Sequence, residues 1–590
     1  MAFTDPFALL GQRRFGPFFW TQFAGAANDN LFKFALTVLV TYQVQVAWLP
    51  PAMAGLVIGA LFILPFVLFS ASSGQLADKY EKAALMRRTK DLELLIMALA
   101  AWGLLAEQLP LLLACIFLMG LQSTLFGPVK FAYLPQHLSP AELTGGNGMV
   151  EMGTFVAILL GNLAGGLLID GPQGPLAVAG ACLVVAALGR WSAQRVPSSP
   201  AADPGLRIRW NPLSETWRNL QQARGDAVVF RSLLGISWMW FYGAVLLSQF
   251  PALAKEVLRG DAGVASLLLA VFSVGIGLGA LLCEQLSRKQ VEIGLVPLGA
   301  IGMSVFGIDL YLATRGFAPG PGPLRDVAGF LATPGGWRVL ADLALLAAAT
   351  GLYSVPMYAL IQLRSPPSHR ARIIAANNIL NALFMVASSL LAGALLAAGA
   401  SLQELILATA LLNALVAGAV FVCVPDYLLR LAVLVAARPV HRLRVEGAEA
   451  LPATGPALLR VPALGPLGPL LLQALGPRPV RCLVDEAALA RPLLGRLLRL
   501  AGALDGRRID DRLRDEAALH AALAQGELVA VFEADAAAAA VCESAAADLP
   551  VFRLRRLGAG PAAGPARLGE RIGLQVESCA SPGPHAGLAD

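Results

Sequence analysis

Gly74-Gln75-Leu76-Ala77-Asp78-Lys79-Tyr80-Glu81-Lys82 is a charged break between two apolar runs, one beginning near Ala52 and the next near Leu92. A run of this length crosses about 30 Å of hydrocarbon as a helix. Gly74 permits a tight helix exit, and Asp78 either meets a neighbouring helix N-terminus or simply caps its own helix. The same alternation extends outward in both directions. Apolar runs begin near Phe18, Ala52, Leu92, Leu111, Met149 and Pro175, and again near Phe230, Gly263, Val291, Val339, Ile373 and Leu402. Between the two sets lies a polar stretch from Trp191 to Asp226, rich in Pro, Ser and Arg, which reads as a linker.

Composition requires the bilayer as the main solvent. Of 590 residues, 57% are hydrophobic and only 14% charged, too little polar surface to cover a soluble globule of that size. A cleaved signal peptide would end in a small-residue cleavage site after a short apolar run, but Arg13-Arg14 lead into a run that continues past Val40, so the first helix is expected to stay in the membrane. The seven cysteines are scattered, with no C-x-x-C pair and no metal-ligand spacing, and no cofactor or metal is expected. The formal net charge of +6 does not point to nucleic acid, because the excess Lys and Arg sit between apolar runs.

Alternate loops differ in charge. One set holds Arg13-Arg14, then Lys79, Lys82, Arg87, Arg88 and Lys90, then Lys130, the Arg-rich linker, Arg288-Lys289, and Arg364, Arg370 and Arg372. The other starts with the uncharged Trp48-Leu49-Pro50-Pro51 turn and holds few basic residues before Lys255. The positive-inside rule therefore predicts cytoplasmic termini and a cytoplasmic linker, in a bacterial inner membrane. Twelve helices in a six-plus-six arrangement, an all-α membrane protein, match the layout of the major facilitator fold, in which the substrate sits between the halves near the midplane. The loop at 74–82 resembles that superfamily's G-x-L-a-D-[RK] loop, and its counterpart in the second half, Glu284-Gln285-Leu286-Ser287-Arg288-Lys289, is degenerate. Gly74, Asp78 and Lys79, with Arg364 and Arg370 in the second half, are the expected gating residues.

An ionisable side chain at mid-membrane costs about 2.5 to 3.5 kcal/mol on insertion scales, so each needs a partner, a wet cavity or a task. The first apolar run carries Asn28-Asp29-Asn30-Leu31-Phe32-Lys33 roughly ten residues from its start, well inside the bilayer. Asp29 and Lys33, four apart, share a helical face and form either an intrahelical pair or part of a lining for a polar head group or coupling ion. Gln122, Glu151, Asn377, Asn378 and Asn381 are further candidates, although amides also bridge helices for packing alone, as Asn162 could. Small-residue runs such as Gly161-x-x-x-Gly165 and Gly275-Ile276-Gly277-Leu278-Gly279 are expected to serve close packing.

At these segments the chain resembles the bacterial lysophospholipid transporters of the major facilitator superfamily, which are often fused to an acyltransferase. The resemblance is carried by Phe19-Trp20-Thr21-Gln22-Phe23-Ala24-Gly25-Ala26-Ala27-Asn28-Asp29-Asn30-Leu31-Phe32-Lys33, by Leu125-Phe126-Gly127-Pro128-Val129-Lys130-Phe131, by residues 145–154, and in the second half by residues 291–299 and 364–378. It implies movement of lysophospholipid, chiefly lysophosphatidylethanolamine, to the cytoplasmic leaflet for reacylation. Asp29 would then face the ammonium and Arg231 the phosphate, although Arg231 also suits a snorkelling interface position.

From His441 onward the chain resembles a glycerolipid acyltransferase, through Leu443-Arg444-Val445-Glu446-Gly447, Gly455-Pro456-Ala457-Leu458-Leu459 and Gly526-Glu527-Leu528-Val529. Those enzymes use N-H-x-x-x-x-D, with His as general base and Asp to orient it. Placed without gaps, the His position falls on Ala463 and the Asp position on Gly468, while the F-P-E-G block reads Phe532-Glu533-Ala534-Asp535. The expected organisation is a six-helix bundle over 1–190, a linker over 191–228, a second bundle over 229–430, an inactive α/β acyltransferase-like domain over 440–555 and a disordered tail over 556–590. The expected partners are lysophospholipid, membrane lipids, and a separate acyltransferase or acyl-carrier-dependent enzyme. Two other readings remain: a bifunctional transporter and acyltransferase, and a generic solute or drug exporter on the same fold.

Overall fold

The computed structural model describes residues 6–44, 51–287, 293–317 and 323–423, and beyond them short segments between 444 and 579. The chain divides into two compact units, one made of Met1–Val291 and Leu298–Val416, the other of Glu292–Pro297 and Ala417–Asp590.

Twelve helices of twenty residues or more stand among the described residues: α1 (Gly16–Val38), α2 (Pro51–Lys79), α3 (Lys82–Leu105), α4 (Leu109–His137), α5 (Pro140–Ile169), α6 (Gly174–Ala193), α8 (Ala227–Ala252), α9 (Ala262–Ser287), α10 (Leu295–Thr314), α12 (Gly336–Arg364), α13 (Arg370–Ala397) and α14 (Leu402–Cys423). Two shorter ones, α7 (Pro212–Arg224) and α11 (Val327–Leu331), lie between them. Among the described residues, ten helices are long and apolar enough to cross a membrane. The two long helices outside that set, α1 and α3, carry Asn28, Asp29, Asn30 and Lys33, and Lys82, Arg87, Arg88, Lys90 and Glu93. Their polar residues explain the shortfall.

Several helices start where the sequence supplies a cap that also ties the chain to a neighbour. The Glu81 carboxylate accepts from the Ala83 and Ala84 N–H groups at 3.0 and 2.6 Å and opens α3. Ser139 and Glu142 form a capping box on α5, and Glu142 also accepts from Arg14 ahead of α1. Asp226 caps α8 with one oxygen and takes Arg364 at 2.8 Å with the other. Arg13-Arg14, the α2–α3 turn, the α4–α5 turn, the linker and the α12–α13 turn all fall at one end of the bundle. That end is the basic face.

Within the first half, α1 packs on α5 and α6, and α3 on α4 and α6. The halves meet through α2 against α13 and α5 against α9. Close approach depends on the small residues expected for it. A Cβ on Gly165 would lie 2.5 Å from the Leu31 carbonyl oxygen, and one on Gly275 2.7 Å from Ala347 Cβ and 2.8 Å from the Ala344 oxygen.

Two expectations change. Lys90 and Lys130 are not loop charges: helices α3 and α4 run further toward the basic face than the apolar runs alone suggested, and both ammoniums lie inside the bundle. The linker holds the short helix α7, opened by Asn211 and Pro212. In the second unit, the stretch expected to be a disordered tail contains a paired strand.

That unit contains a seven-stranded sheet of β1 (Arg444–Glu446), β2 (Ala457–Val461), β3 (Val480–Asp485), β4 (Leu504–Gly506), β5 (Leu528–Phe532), β6 (Val551–Leu557) and β7 (Gly573–Cys579). Its order is β1-β7-β6-β2-β5-β3-β4, with only β6 and β7 antiparallel. The β2 core reads Ala457-Leu458-Leu459-Arg460-Val461, a nearly continuous apolar run, as parallel strands covered on both faces require. This is an α/β arrangement. Of the positions expected for the His and Asp of an acyltransferase, 463 lies outside the described residues and Gly468 starts a short helix, Gly468–Leu472; Phe532 ends β5 and 533–535 lie outside.

Candidate functional site

A cavity of about 460 Å³ lies in the first unit, lined by α1, α2, α4 and α5 of the first half together with Lys90 of α3, and by Trp240, Tyr358, Asn378, Asn381 and Met385 of the second. Its volume is in the range of ligand sites. Its floor is polar. Asp29 accepts from the Ser123 hydroxyl at 2.5 Å, Lys130 donates to Thr154 at 3.1 Å, and Thr154 donates in turn to Gln22 at 3.1 Å. Its outer wall is apolar, formed by Phe34 of α1 and by Ile58, Phe62, Ile63 and Phe66 of α2.

Several floor atoms have no protein partner among the described residues: Gln22 Nε2, Asp29 Oδ1, Glu151 Oε1 and Asn378 Nδ2. Buried polar atoms are ordinarily paired, so a wall with four such atoms is built to be completed by water or a polar ligand. Both donors and acceptors are present, so a ligand carrying both charge types fits better than a simple ion.

The candidates divide clearly. Asp29, Asn30, Lys33, Gln122, Glu151, Asn378 and Asn381 line the cavity. The expected Asp29–Lys33 pair is not closed, because Asp29 is held by Ser123 and the Lys33 ammonium sits 4.8 Å from the centre of the Phe62 ring. Asn28 turns away from the cavity and donates to Glu93 on α3 at 3.0 Å. Asn377 is buried but does not line the cavity. Arg231 is exposed near the start of α8 and is also absent from the lining, so no phosphate held in this cavity reaches it. Lys130 takes its place as a cavity cation.

Sequence reasoning missed a second polar cluster beside the floor. Lys90 and Glu93 form an ion pair at 2.6 Å, with side chains 1% and 0% exposed, and Glu93 also accepts from Asn28 and Gln122. Their i,i+3 spacing was a visible signal, but Lys90 follows Arg87-Arg88 and reads as one more basic loop residue. A Cβ on Gly25 would lie 2.7 Å from Lys90 Nζ, so the glycine makes room for the ammonium.

At the basic face the halves are bolted together below the cavity. Asp78 accepts from Arg372 at 3.0 Å and from the Ala371 N–H at 3.2 Å, across the α2–α13 contact. Gly74 belongs to the same contact: a Cβ there would lie 2.9 Å from Arg372 Cα. On the α5–α12 side Asn147 and Gln362 exchange hydrogen bonds at 2.6 and 3.0 Å. Of the expected gating residues, Arg364 reaches Asp226 at the end of the linker at 2.8 Å, and Arg370 donates to the Ser365 oxygen at 3.3 Å and lies near the Asp78 charge of the first half. Among the described residues Lys79 makes only a 5.8 Å contact with the adjacent Tyr80 ring. Arg372, counted in the sequence only among the basic loop residues, forms the ion pair between the halves. The cavity lining instead extends to Thr37 and Gly55, near the opposite helix ends.

A twelve-helix bundle in two halves, with a central cavity closed at one end by an Asp–Arg bridge, defines a membrane transporter of alternating-access type. A model of the Major Facilitator Superfamily matches residues 15–321, and the chain belongs to that superfamily as a multi-pass membrane protein. Curated relatives narrow the comparison. The lysophospholipid transporter LplT of Enterobacter sp. (strain 638) is 29% identical over 292 residues, 49% of this chain and 70% of that protein. LplT of Serratia proteamaculans (strain 568) is 27% identical over 372 residues, 61% of this chain and 82% of that protein. Among solved structures, the human organic anion transporter MFSD10 aligns with a TM-score of 0.54 at 14% identity, over 68% of this chain and 97% of that one. FucP in the outward conformation aligns at 0.50 and 12%, over 70% and 97%. These two establish the fold alone.

Proposed function

We propose that the chain moves lysophospholipids such as lysophosphatidylethanolamine across a bacterial inner membrane to the cytoplasmic leaflet, with the basic face and both termini cytoplasmic. The observation that carries this is the two-part cavity. Lys130 and Asp29 stand on one polar floor, and the wall from Phe34 to Phe66 is apolar. A zwitterionic head matches the first and an acyl chain the second. A phosphate would sit at Lys130, which among the described residues hydrogen-bonds to the neutral Thr154 alone, and an ammonium at the open Asp29 oxygen and at Glu151. The name of the curated relatives supports the same cargo.

The sheet unit fits an acyltransferase-like domain without the catalytic His and Asp, which leaves reacylation to a separate enzyme. The test is uptake of labelled lysophosphatidylethanolamine into spheroplasts lacking their own transporter. The intact chain should restore uptake, Asp29→Ala and Lys130→Gln should each abolish it, and Arg231→Ala should retain it. No uptake by the intact, correctly inserted chain would overturn the lipid reading, and loss in Arg231→Ala with retention in Lys130→Gln would overturn the assignment of the phosphate.

A further inference from the structure

Helix α7 is amphipathic in the wrong sense for a soluble surface. It buries Glu215, Asn219 and Ala223 against the protein and turns Leu213 and Trp217 outward, 82% and 55% exposed, next to Trp210 at 68%. An aqueous surface would favour the opposite arrangement. Arginines share this outward side: Arg207, Arg209, Arg218 and Arg224 are all exposed. Arg224 lies 5.6 Å from the centre of the Trp217 ring. The α6 end repeats the pattern, with Arg195 stacked 3.5 Å over the exposed Trp191.

The charge on this surface is unbalanced for a physical reason. Each acidic residue in the segment is used internally: Asp203 faces Arg372 at 3.6 Å, Glu215 is buried against Arg218 at 3.6 Å, and Asp226 holds Arg364 at 2.8 Å. Arg207, Arg209 and Arg224 have no carboxylate partner among the described residues. Indole rings with arginines beside them match the headgroup depth of a bilayer, where the ring sits among ester groups and the guanidinium reaches phosphate.

We infer that the outward face of residues 207–224 is a binding surface for the anionic headgroups of phospholipids in the leaflet at the basic face. The segment is also zipped to the bridge between the halves. The Gln75 side chain exchanges two hydrogen bonds with the Arg209 backbone at 2.9 and 2.8 Å, the Ala202 and Asp203 N–H groups donate to the Asp78 carbonyl at 2.9 Å each, and the Asp203 carboxylate faces Arg372. A leaflet that holds this segment therefore also holds the basic face shut, whatever the cargo.

The test uses the full chain in vesicles of phosphatidylcholine with phosphatidylglycerol, one of the two lipids brominated in turn to quench tryptophan. The difference between the parent and W210F/W217F isolates the two indoles. Their emission should be quenched more by brominated phosphatidylglycerol than by brominated phosphatidylcholine at equal mole fraction. In R207Q/R209Q/R224Q that preference should fall at least about tenfold, since each basic residue near an anionic surface contributes roughly fivefold, and about 0.5 M salt should weaken it in the parent. Equal quenching by the two lipids, or a preference untouched by the arginine changes, would overturn the inference. So would the absence of quenching by either, which would mean that protein covers this face.

Discussion

Asp78→Asn removes the charge at the centre of the closed basic face and nearly preserves its shape. In the parent, Asp78 and Arg372 face each other at 3.0 Å with side chains 1% and 8% exposed. Taking one partner from a buried pair strands the other and costs about 3–5 kcal/mol. The lower end applies, because Arg372 keeps the Ser368 carbonyl at 2.7 Å and Asp203 at 3.6 Å. A loss of about 3 kcal/mol falls only on the state in which the halves touch here, so the open-to-closed ratio should rise by roughly a hundredfold. The readout is a single cysteine in place of Ser365, which is 2% exposed in this closed form, in a chain whose own cysteines have been replaced. Its labelling rate by a bulky maleimide should follow the open population and rise by that factor in Asp78→Asn. Adding Arg372→Gln should reverse part of the increase, since the stranded guanidinium is then gone while Lys82 and Arg370 still lack the Asp78 charge. An unchanged rate in Asp78→Asn, or a double variant that opens as the sum of the singles, would refute the coupling.

Gly74→Ala should open the same contact by sterics, because the new Cβ would sit 2.7 Å from Ala375 Cβ and 2.9 Å from Arg372 Cα; an overpacking cost of about 1–3 kcal/mol should appear as faster labelling at position 365. Glu93→Gln should lower the melting temperature by stranding Lys90, at a cost of about 3–5 kcal/mol, and Glu93→Gln with Lys90→Met should recover most of it in calorimetry; no recovery would show that the pair is not a unit. Burial, with Arg372 nearby, holds the His369 imidazole below its usual range. The folded state therefore binds fewer protons there than the unfolded one, and its stability contribution is complete above about pH 6.5 and is lost as pH falls through the lowered value. Melting temperature should drop over that acid window, and His369→Asn should remove part of the drop.

Much of the bundle was legible because hydrocarbon imposes a rule on sequence: every crossing needs a long apolar helix, and the break at 74–82 and the linker at 191–226 show where helices turn and where the halves divide. The polar run in α1 was legible for the same reason, since charge in an apolar run is costly enough to demand an explanation. Asp29, Lys33 and Asn30 were accordingly found. Their one-dimensional context could not say which way each side chain points, so Asn28 was grouped with them although it serves Glu93.

By itself, the sequence determined the series of long apolar helices, the clustering of basic residues between them and the presence of an unusual polar patch in α1, because hydropathy and charge act residue by residue. Only the tertiary structure decided the pairings. Lys90 and Lys130 read as loop charges until helix packing placed them inside, and Arg231 stayed open between a phosphate partner and an interface residue until the turn of α8 left it out of the cavity lining. Arg372 meets Asp78 across almost three hundred residues of chain, and an ion pair between halves has no periodicity to betray it. The outward tryptophans of α7 show the same limit, since the surface a helix buries is set by what packs against it.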